Sequence, residues 1–388
     1  MNANIWNKLC RVIDKKMKNM EKVLVVSKEY SVGFSGAGTY IYSIIKRTQK
    51  YKYIILANLI RSSFNNDMSK LENVKVKCKS FTNVRYIRYV NTFLFMIYSF
   101  FSSLRMEFDY IVGNDLAGNI AALFIHFVKK KPLVSVIHNI SYEGKTKFIR
   151  RSLLKMIFGS SSTIIVNGKK LEDDINKSFG HCYKQKIVKI YPGVEILPFE
   201  KIKKPKKNVI LFVGAIYGYK KGEEYLIEAF AHVLKRVDSE LWIVGAIVNK
   251  KFGMLLKDMV NKLGIKKRVK FFGFVDNVFS YYDVCDVFVL PSYSESETFG
   301  IPCIEASAMG KPVVATDVLE RNGAVVDKKT GIVVPRKNSK KLAEAIIKLL
   351  KDEKLRIRLG KNGKIYTKKF SWSLSAKKFE NVIDKVSK

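Results

Sequence analysis

Two glutamates with seven residues between them, Glu297 and Glu305, lie in the segment "ESETFGIPCIEASAMGKPVV", which begins at Glu295. The preceding run "VFVLPS" is typical of a buried strand, and Pro302 suits the first turn of a helix. Free N–H groups at a helix start bind phosphate, and a carboxylate accepts hydrogen bonds from the vicinal hydroxyls of a ribose. The segment therefore predicts a site for a ligand with a diphosphate between two polyols. The structural alternative is a capped helix with two solvated acids.

A glycine-rich segment, "SVGFSGAGTY", follows the first apolar run and contains Gly33, Gly36 and Gly38. It is not a dinucleotide-binding fingerprint, because Ile41 occupies the position of the third glycine, and it lacks the Lys-Ser/Thr ending of a P-loop. A structural turn and a loop that approaches phosphate both fit these residues.

Cationic and imidazole side chains follow two other predicted strands. Lys220 and Lys221 stand before Gly222 and an amphipathic helix, where they can neutralise a phosphate; a solvated lysine pair is the alternative. His138 closes the strand "VSVIHN", where an imidazole can hydrogen-bond a sugar hydroxyl or assist at a reacting centre, although a single histidine at a strand end is more often structural.

Short β-branched runs alternate with longer helical patterns, which predicts parallel sheets covered on both faces. A Lys- and Pro-rich break at 198–208 divides the alternation, so we expect an α/β protein with two doubly wound domains and a cleft between them. The runs predicted as strands are "KVLVVSKEY", "YIVGND", "PLVSVIHN", "STIIVNG", "VILFVGAIY", "ELWIVGA", "RVKFFGFV", "DVFVLPS" and "KPVVAT".

The composition adds a formal net charge of +37, which is spread over both halves of the chain. An anionic partner (a membrane surface, a nucleic acid or a phosphate-bearing substrate) and a lysine-rich compositional bias both explain this excess. The chain has 5 cysteines without a CxxC pair, so we expect a reducing compartment. It contains no D-x-D pair and no histidines at metal-ligand spacing, and no metal site is predicted.

The most apolar segment, "TFLFMIYSFFSSL" at Thr92–Leu104, is too short to span a bilayer. It predicts either a buried helix or a helix partly exposed at a membrane surface, since Arg85, Arg88 and Arg105 flank it. The N-terminus is basic and weakly amphipathic, and residues 1–20 are expected to form an extension without the apolar core of a signal peptide.

Taken together, the order and spacing of these segments resemble the retaining glycosyltransferases of family 4, which have the two-domain GT-B fold. The resemblance runs from Lys22 to the C-terminus, and its most specific part is "PSYSESETFGIPCIEASAMGKPVVAT" with the E-x7-E pattern. "SGAG", "VIHN", "YPGVEILPF", "VGAIYGYKKG" and "GFV" support it. It implies an N-terminal acceptor domain at 21–198, a linker at 199–207, a C-terminal nucleotide-sugar-binding domain at 208–370 and a helix at 371–388 that returns to the N-terminal domain.

The resemblance also implies a role for each site residue. Glu297, His138 and Lys221 match catalytic positions: Glu297 and His138 would contact the donor sugar, and Lys221 would neutralise the leaving diphosphate. Glu305 would hold the ribose hydroxyls. The remaining donor-binding positions, which serve the sugar, the phosphates or the base, are Phe299, Gly300, Ile301, Gly36, Lys220, Gly273, Phe274 and Val275.

The implied reaction moves a hexosyl group from a nucleoside-diphosphate sugar to an acceptor hydroxyl of a lipid-linked, glycan or other glycoconjugate, with retention of the anomeric configuration. We expect no cofactor and no metal ion, because lysine and helix dipole must stabilise the departing diphosphate. Three positions depart from the family: Ala215 replaces an arginine, Leu319-Glu320 replaces Gly-Gly, and Ser35 replaces a glycine.

The expected location is the cytoplasm, with peripheral attachment at the inner face of an anionic membrane; nucleic acid is not expected as a partner. Two alternatives remain open. One is a catalytically impaired relative that only binds sugar nucleotides, prompted by Ala215. The other is a basic nucleic-acid-binding protein or DNA-modifying transferase, prompted by the net charge.

Overall fold

The computed structural model describes residues 20–29, 36–58, 71–79, 88–140, 147–295, 297 and 299–387. The chain forms two compact units, and the expected extension at 1–20 lies outside the described residues except for Met20. The first unit contains the described residues up to Asn167, Leu171–Tyr191 and the described residues from Trp372; the second contains Gly168–Lys170 and Pro192–Ser371.

The first unit is built on a parallel sheet of seven strands in the order β3-β2-β1-β4-β5-β6-β7. Every residue of β4 and β5 is buried, as expected for strands covered on both faces. The strands are β1 (Lys22–Glu29), β2 (Lys52–Asn58), β3 (Val74–Lys79), β4 (Tyr110–Asn114), β5 (Leu133–Ile137), β6 (Thr163–Val166) and β7 (Ile187–Lys189).

Helices cover both faces of this sheet, and each face has its own apolar core. On one face, Ile41 of α1 and Phe379 of α13 belong to the same core. The other core takes side chains from the four helices α2 to α5. The helices are α1 (Gly36–Ile45), α2 (Arg88–Leu104), α3 (Asp115–Lys129), α4 (Lys147–Ser160), α5 (Lys169–Phe179) and α13 (Trp372–Val386).

The helix predicted within Thr92–Leu104 begins earlier, at Arg88, in α2. The alternative of a buried helix is wrong for one of its faces, because Phe93 and Phe101 are 58% and 62% exposed. The other face of α2 contributes the fully buried Phe95 to the core.

The second unit contains a parallel sheet of six strands in the order β10-β9-β8-β11-β12-β13. Its strands are β8 (Asn208–Val213), β9 (Ser239–Val244), β10 (Val269–Gly273), β11 (Val287–Leu290), β12 (Val313–Thr316) and β13 (Gly331–Val334). Its helices are α6 (Glu223–Leu234), α7 (Lys250–Lys262), α8 (Phe279–Val284), α9 (Ile301–Ala308), α10 (Asp317–Arg321), α11 (Ser339–Lys351) and α12 (Glu353–Thr367).

Each run predicted as a strand forms one, and the predicted fold class of two doubly wound parallel sheets is confirmed. In each sheet the strand order reverses once: between β1 and β4 in the first unit, and between β8 and β11 in the second. Ligands of open α/β sheets bind beyond the carboxyl ends of the strands at such a reversal. We therefore expect a ligand site beyond the carboxyl ends of the strands at these two reversals.

Candidate functional site

The loop after β11 leads into α9 through Gly300, which has a φ of 86°. This left-handed conformation favours glycine, and a Cβ at this position would lie 2.4 Å from the side chain of Leu319. Phe299 is only 2% exposed, and its ring packs edge-on against Phe370 at 5.3 Å. Gly300 was predicted as a donor-binding position, and the structure adds a backbone and packing reason for a glycine there.

Glu305 lies in α9, where its carboxylate accepts a hydrogen bond of 3.0 Å from the hydroxyl of Tyr282. Burial raises the pKa of Glu305 to about 7, and the Tyr282 hydrogen bond acts in the opposite direction. The glutamate therefore changes its charge near neutral pH, unlike a solvated carboxylate. The alternative of two solvated acids does not describe this residue.

Glu297 is half-buried and is held through its backbone and its side chain. Its amide donates to the Ser294 carbonyl at 3.0 Å, and its own carbonyl accepts from the Asn322 side chain at 2.7 Å. The Ser292 hydroxyl donates to its carboxylate at 3.4 Å. Asn322, directly after α10, and residues of the loop itself thus fix the segment that carries Glu297.

The loop that carries Lys220 and Lys221 is bonded to the loop after β11. The Lys220 carbonyl accepts from the amides of Tyr293 and Ser294 at 3.1 and 3.3 Å. Gly222 makes this approach possible: its φ is 78°, and a Cβ there would lie 2.3 Å from the Pro291 carbonyl oxygen. The two loops predicted from separate segments therefore form one structure.

Three predicted site residues act electrostatically on a single thiol at the start of α9. Burial raises the pKa of Cys303 well above its usual range; Glu297 raises it further, Lys221 lowers it, and Glu305 raises it. All three charged residues belong to the second unit. Lys221 is half-buried, whereas Lys220 is exposed.

Lys221 also lies over the end of β8. A Cβ built on Gly214 would stand 3.0 Å from Lys221 Nζ. The next residue is Ala215, where the resembling family has an arginine. The ammonium of Lys221 thus supplies a cation beside the position from which the arginine is missing.

Glu223, which directly follows this loop, was missed by sequence reasoning. It is completely buried in the first turn of α6, and neither of its carboxylate oxygens has a hydrogen-bond partner among the described residues. Burial raises its pKa to about 7; Lys221 opposes this shift and Glu224 adds to it. In the sequence "KKGEEYL" the two acids resemble ordinary solvated residues at a helix start, so no local pattern indicates that Glu223 is buried.

The segment predicted to hold a base ends β10. The Gly273 carbonyl accepts from the Gly245 amide at 2.7 Å, and Gly273 has a φ of 73°. A Cβ on Gly273 would meet no atom within 4 Å, and the neighbouring Phe274 is 42% exposed. Val275 follows and is half-buried. The backbone of this segment is therefore accessible at the carboxyl end of the sheet.

A cluster of ion pairs fixes the start of the loop that carries Glu297, and sequence reasoning missed it too. Arg321 and Arg336 donate to the Glu295 carboxylate at 2.8 and 2.6 Å, and Arg336 also donates to Asp317 at 3.2 and 2.6 Å. Burial raises the pKa of Glu295, but the two arginines and Lys170, whose ammonium is 3.3 Å from the carboxylate, outweigh it and bring the pKa down to about 2. Arg336 is 41 residues from Glu295 along the chain, so only the fold brings them together.

In the first unit, His138 lies at the end of β5, and its Nε2 is 2.6 Å from Asn114 Oδ1. The amide group of Asn114 donates to the Ser27 hydroxyl at 2.8 Å and to the Ala37 carbonyl at 3.3 Å. Since the Asn114 NH₂ group donates in both bonds, its oxygen must be the acceptor, and His138 carries its proton on Nε2. The Nδ1 atom of His138 is then a hydrogen-bond acceptor.

Burial lowers the pKa of His138 to about 4, so the imidazole is neutral at physiological pH. Asn114 is completely buried, and it connects the ends of β1, β4 and β5 with the first turn of α1, which begins at Gly36. A Cβ on Gly36 would meet no atom of the described residues within 4 Å, which leaves room on that side for a ligand. Two predicted residues, Gly36 and His138, are thus joined by Asn114, which was not predicted.

The adjoining Asp115 has a φ of 58°, in the left-handed region that non-glycine residues rarely adopt. Its carboxylate accepts from the Gly118 amide at 2.9 Å and from the Ser27 hydroxyl at 3.3 Å. A Cβ on Gly118 would lie 2.2 Å from the Val26 carbonyl oxygen, so α3 packs against β1 as closely as glycine allows. Such backbone strain at a strand-to-helix turn is frequent where ligands bind.

The remaining predicted donor-binding residue is Ile301, the first residue of α9, which is half-buried. The predicted residues therefore fall into two sets. Gly36 and His138 belong to the first unit, and all the others belong to the second.

Comparisons with known proteins agree with this architecture. The family profile described as "Glycosyl transferases group 1" matches residues 194–366. An uncharacterised glycosyltransferase of Methanocaldococcus jannaschii is 30% identical over 267 residues, which are 66% of this chain and 71% of the relative. The D-inositol 3-phosphate glycosyltransferase of Corynebacterium aurimucosum is 32% identical over 181 residues, or 45% of this chain and 42% of the relative.

Solved structures show the same fold. Sucrose-phosphate synthase from Thermosynechococcus elongatus has a TM-score of 0.79 and 18% identity, over 94% of this chain and 99% of that one. HepE from Anabaena, crystallised with UDP-glucose, has a TM-score of 0.77 and 20% identity, with the same coverage. The expected GT-B class, in the sense of two Rossmann-like parallel-sheet units, is confirmed. Since the M. jannaschii relative matches over most of its own length and the family profile covers the segment with both glutamates, this chain belongs to the group 1 glycosyl transferases.

Proposed function

We propose that this chain is a retaining glycosyltransferase of family 4 that moves a hexosyl group from a nucleoside-diphosphate sugar to an acceptor hydroxyl. The observation that carries the proposal is the bonding of two loops beside the start of α9: the loop of Lys220 and Lys221 accepts from the amides of Tyr293 and Ser294, which precede Glu297, and Glu305 lies in α9 itself. A cation, two carboxylates and the N–H groups of a helix start are the groups that a diphosphate between two polyols requires. HepE binds UDP-glucose, which supports a nucleotide sugar as the donor.

Each charged residue has a proposed role. Glu305 accepts hydrogen bonds from the ribose hydroxyls, and Glu297 contacts the donor sugar near the reacting carbon. Lys221 neutralises the diphosphate as it departs, where a fixed cation stabilises the transition state more than the ground state. The exposed Lys220 adds a weaker attraction for the phosphates.

Uncharged groups complete the donor site. The accessible backbone of Gly273, Phe274 and Val275 holds the base, and the backbone of Phe299, Gly300 and Ile301 lines the sugar and the phosphates. In the first unit, His138 accepts a hydrogen bond from a sugar hydroxyl through Nδ1, because Asn114 holds its other nitrogen. Gly36 lets the glycine-rich loop approach the ligand.

We infer that transfer needs no metal ion. The sequence contains no D-x-D pair, the usual carboxylate clamp for the cation of a nucleotide sugar. In the part of the chain that the structure describes, no three or more His, Cys, Asp or Glu side chains come together as a metal site. Transfer should therefore continue in the presence of a chelator, and a loss that Mg²⁺ or Mn²⁺ restores would contradict the inference.

A thermal-shift screen with UDP-, GDP- and ADP-sugars tests the donor site. We expect one nucleotide series to raise the melting temperature, and an NMR assignment of the product's anomeric configuration to show retention. A melting temperature that no sugar nucleotide changes would overturn the proposal. The matched control is Glu344→Gln, an exposed carboxylate of α11 that pairs only with Lys341 among the described residues, and it should respond as the wild type does.

The second candidate is a relative that binds sugar nucleotides without transferring the sugar, and Ala215 favours it because a phosphate-binding arginine is missing there. Glu297→Gln separates the two. If the wild type hydrolyses or transfers the donor sugar and Glu297→Gln does so at a rate lower by about 10²-fold or more, the chain is an enzyme. Donor binding without turnover in the wild type would favour the second candidate.

We also propose that the enzyme works in the cytoplasm at the inner face of a membrane, on a lipid-linked or other glycoconjugate acceptor. No helix among the described residues is long and apolar enough to cross a bilayer. What supports the membrane part of the proposal is a surface of the first unit that carries exposed apolar side chains and cations.

A further inference from the structure

Three neighbouring helices of the first unit present apolar side chains to solvent. We name this surface the three-helix face. Its members are large apolar residues of α2, α3 and α4, each at least 37% exposed: Val90, Phe93, Leu94, Ile97, Phe101, Leu104, Phe124, Phe127, Val128, Phe148, Ile149 and Met156. Single exposed apolar residues are ordinary on a protein surface, but a group on adjacent helices marks an interaction site.

The helices bring these residues to one side of the sheet. Phe95 of α2, Leu123 of α3 and Leu154 of α4 all belong to the same core, so the three helices lie on one face of the sheet and their outer surfaces point away from it. The exposed residues of α2 recur at intervals of three, four and seven, which is a single helical stripe. The Lys129 ammonium donates to the Leu104 carbonyl at 2.8 Å and connects the ends of α2 and α3.

The three helices of this face carry almost only positive charge, and beyond the end of α2 the exposed Glu107 pairs with Lys22 at 3.5 Å. The stretches 88–104 and 147–160 contain no aspartate or glutamate, and Asp115 is the single acid of 115–129. Asp115 lies at the opposite end of α3 from Phe127 and caps the helix start. Exposed cations stand at the helix ends and between the apolar residues: Arg105, Lys130, Arg151 and Lys155.

We propose that the three-helix face docks on a bilayer that contains anionic phospholipids. Aromatic and aliphatic side chains would enter the boundary between head groups and acyl chains, while the cations pair with lipid phosphates. This inference deepens the membrane part of the function proposed above and identifies the surface and its partner.

Two other occupants fit less well. A second copy of the chain, related by a two-fold axis, would place the cations of this face against the same cations without acids to balance them. A nucleic acid would match the cations but would cover an apolar centre with phosphates and sugars, which desolvates them without compensation. A bilayer satisfies both the apolar centre and the basic margin.

Flotation with phosphatidylglycerol–phosphatidylcholine vesicles, without donor or acceptor, tests the proposal on the full chain. We expect binding to these vesicles, weaker binding to pure phosphatidylcholine, and release as salt increases. The triple variant Phe93→Gln, Phe101→Gln, Phe127→Gln should bind at least about tenfold more weakly at every salt concentration, because it loses the apolar insertion. Glutamine keeps the helix propensity high.

The matched control is Met254→Gln, Ile357→Gln, Ile365→Gln, whose targets are 64%, 61% and 57% exposed in the second unit. It should bind vesicles as the wild type does. Removing three cations by Arg105→Gln, Lys130→Gln and Lys155→Gln should weaken binding by roughly fivefold for each charge at low salt, and the difference should shrink as salt increases. Lys351→Gln, Lys361→Gln and Lys364→Gln provide the charge-matched control.

Three results would overturn the proposal: no binding to anionic vesicles, equal loss in the apolar variant and its control, or an apolar variant whose main effect in sedimentation is the loss of a dimer. Nucleic acid that competes for the face in place of lipid would also overturn it. The thermal shift with sugar nucleotides is measured on the same variants and should stay unchanged. A failure of docking is therefore distinguishable from a failure of the donor site.

Discussion

The two sheets reverse their strand order in the same way, but the side chains at the two reversals differ in kind. In the second unit, charged groups gather: Lys221, Glu297 and Glu305 all act on the thiol of Cys303. In the first unit, His138 and Asn114 bond to each other as neutral groups. One fold thus supports a charged site and a largely uncharged one.

The difference corresponds to the chemistry that each site would perform. A leaving diphosphate gains negative charge, so a nearby fixed cation accelerates its departure. A sugar hydroxyl stays neutral, and it is positioned by acceptors and donors whose protonation is fixed, such as a neutral imidazole. The comparison predicts that charge-removing substitutions in the second unit cost more than substitutions of neutral partners in the first.

The largest effect should follow Lys221→Met. This variant removes the ammonium over the end of β8, where no arginine compensates because residue 215 is alanine. We expect kcat of transfer to fall by about 10²- to 10³-fold, while the melting temperature changes little. Lys235→Met, at an exposed position after α6, is the control and should keep its rate. A fall in kcat below about fivefold would show that the Lys221 ammonium does not stabilise the departing diphosphate.

The next effect concerns Glu305 and is a dependence on pH. Since the pKa of Glu305 is about 7 and the proposed ribose contact needs the carboxylate, donor affinity of the wild type should weaken by roughly tenfold for each pH unit below 7. Glu305→Gln should bind the donor about 10- to 100-fold more weakly above pH 7. It should also lose the pH dependence.

Isothermal titration of the donor at several pH values measures both effects. The control Glu344→Gln should keep the wild-type pH profile, because that side chain lies on the exposed surface of α11. A Glu305→Gln profile that still bends near pH 7 would assign the titration to another group. The glutamate would then not be the ribose contact.

A smaller effect should follow Asn114→Asp in the first unit. Aspartate cannot donate to Ser27 and Ala37, and its negative charge next to Nε2 raises the pKa of His138 from about 4. We expect kcat to fall by about tenfold, with a new loss of rate at low pH as the imidazole becomes charged. NMR of the imidazole protons should show the changed pKa directly.

Asn119→Asp separates positioning from stability. Asn119 is also buried, but its amide donates to the Asp115 and Val136 carbonyls and not to a group that holds His138. It should lower the melting temperature without moving the pH profile. Equal pH profiles for the two variants would show that Asn114 acts through the fold alone.

Local patterns in the sequence were sufficient to predict the fold class, the central strands of both sheets and the position of the main loop, but β2, β3, β7 and β13 were not predicted. β4 and β11 are continuous apolar runs because both faces of each strand are covered, and such runs are visible without the fold. β3 escapes a search for apolar runs, because valines alternate with lysines at the sheet edge. The start of α9 was recognisable from Gly300 and Pro302.

The missing parts of the site depend on contacts between distant segments. The bond between Asn114 and His138 joins two strand ends, and the arginines on Glu295 come from α10 and from the segment after β13. The sequence shows that a polar residue ends a strand, but it does not show which distant side chain that residue bonds. For Gly300, the φ of 86° and the 2.4 Å that a Cβ would leave to the Leu319 side chain depend on the fold and were not predicted.

The smallest change in activity and a clear change in stability should follow Glu223→Gln. The carboxylate is completely buried and has no hydrogen-bond partner among the described residues, and its pKa is raised from 4.5 to about 7. Between pH 4.5 and 7 the folded chain therefore holds a proton on Glu223 that the unfolded chain has released. The stability contributed by this group is full below pH 4.5 and is lost as pH rises through 7. Glutamine mimics the protonated form, so the variant should match the wild type at low pH. Above pH 7 it should be more stable by about 1–3 kcal/mol.

Chemical denaturation across this pH range measures the difference, and Glu344→Gln should leave the pH dependence of stability in that range as it is. Equal stability of the variant and the wild type above pH 7 would show that Glu223 is ionised without cost, which would require a buried cation at the start of α6 and would make Lys221 its partner rather than a phosphate ligand.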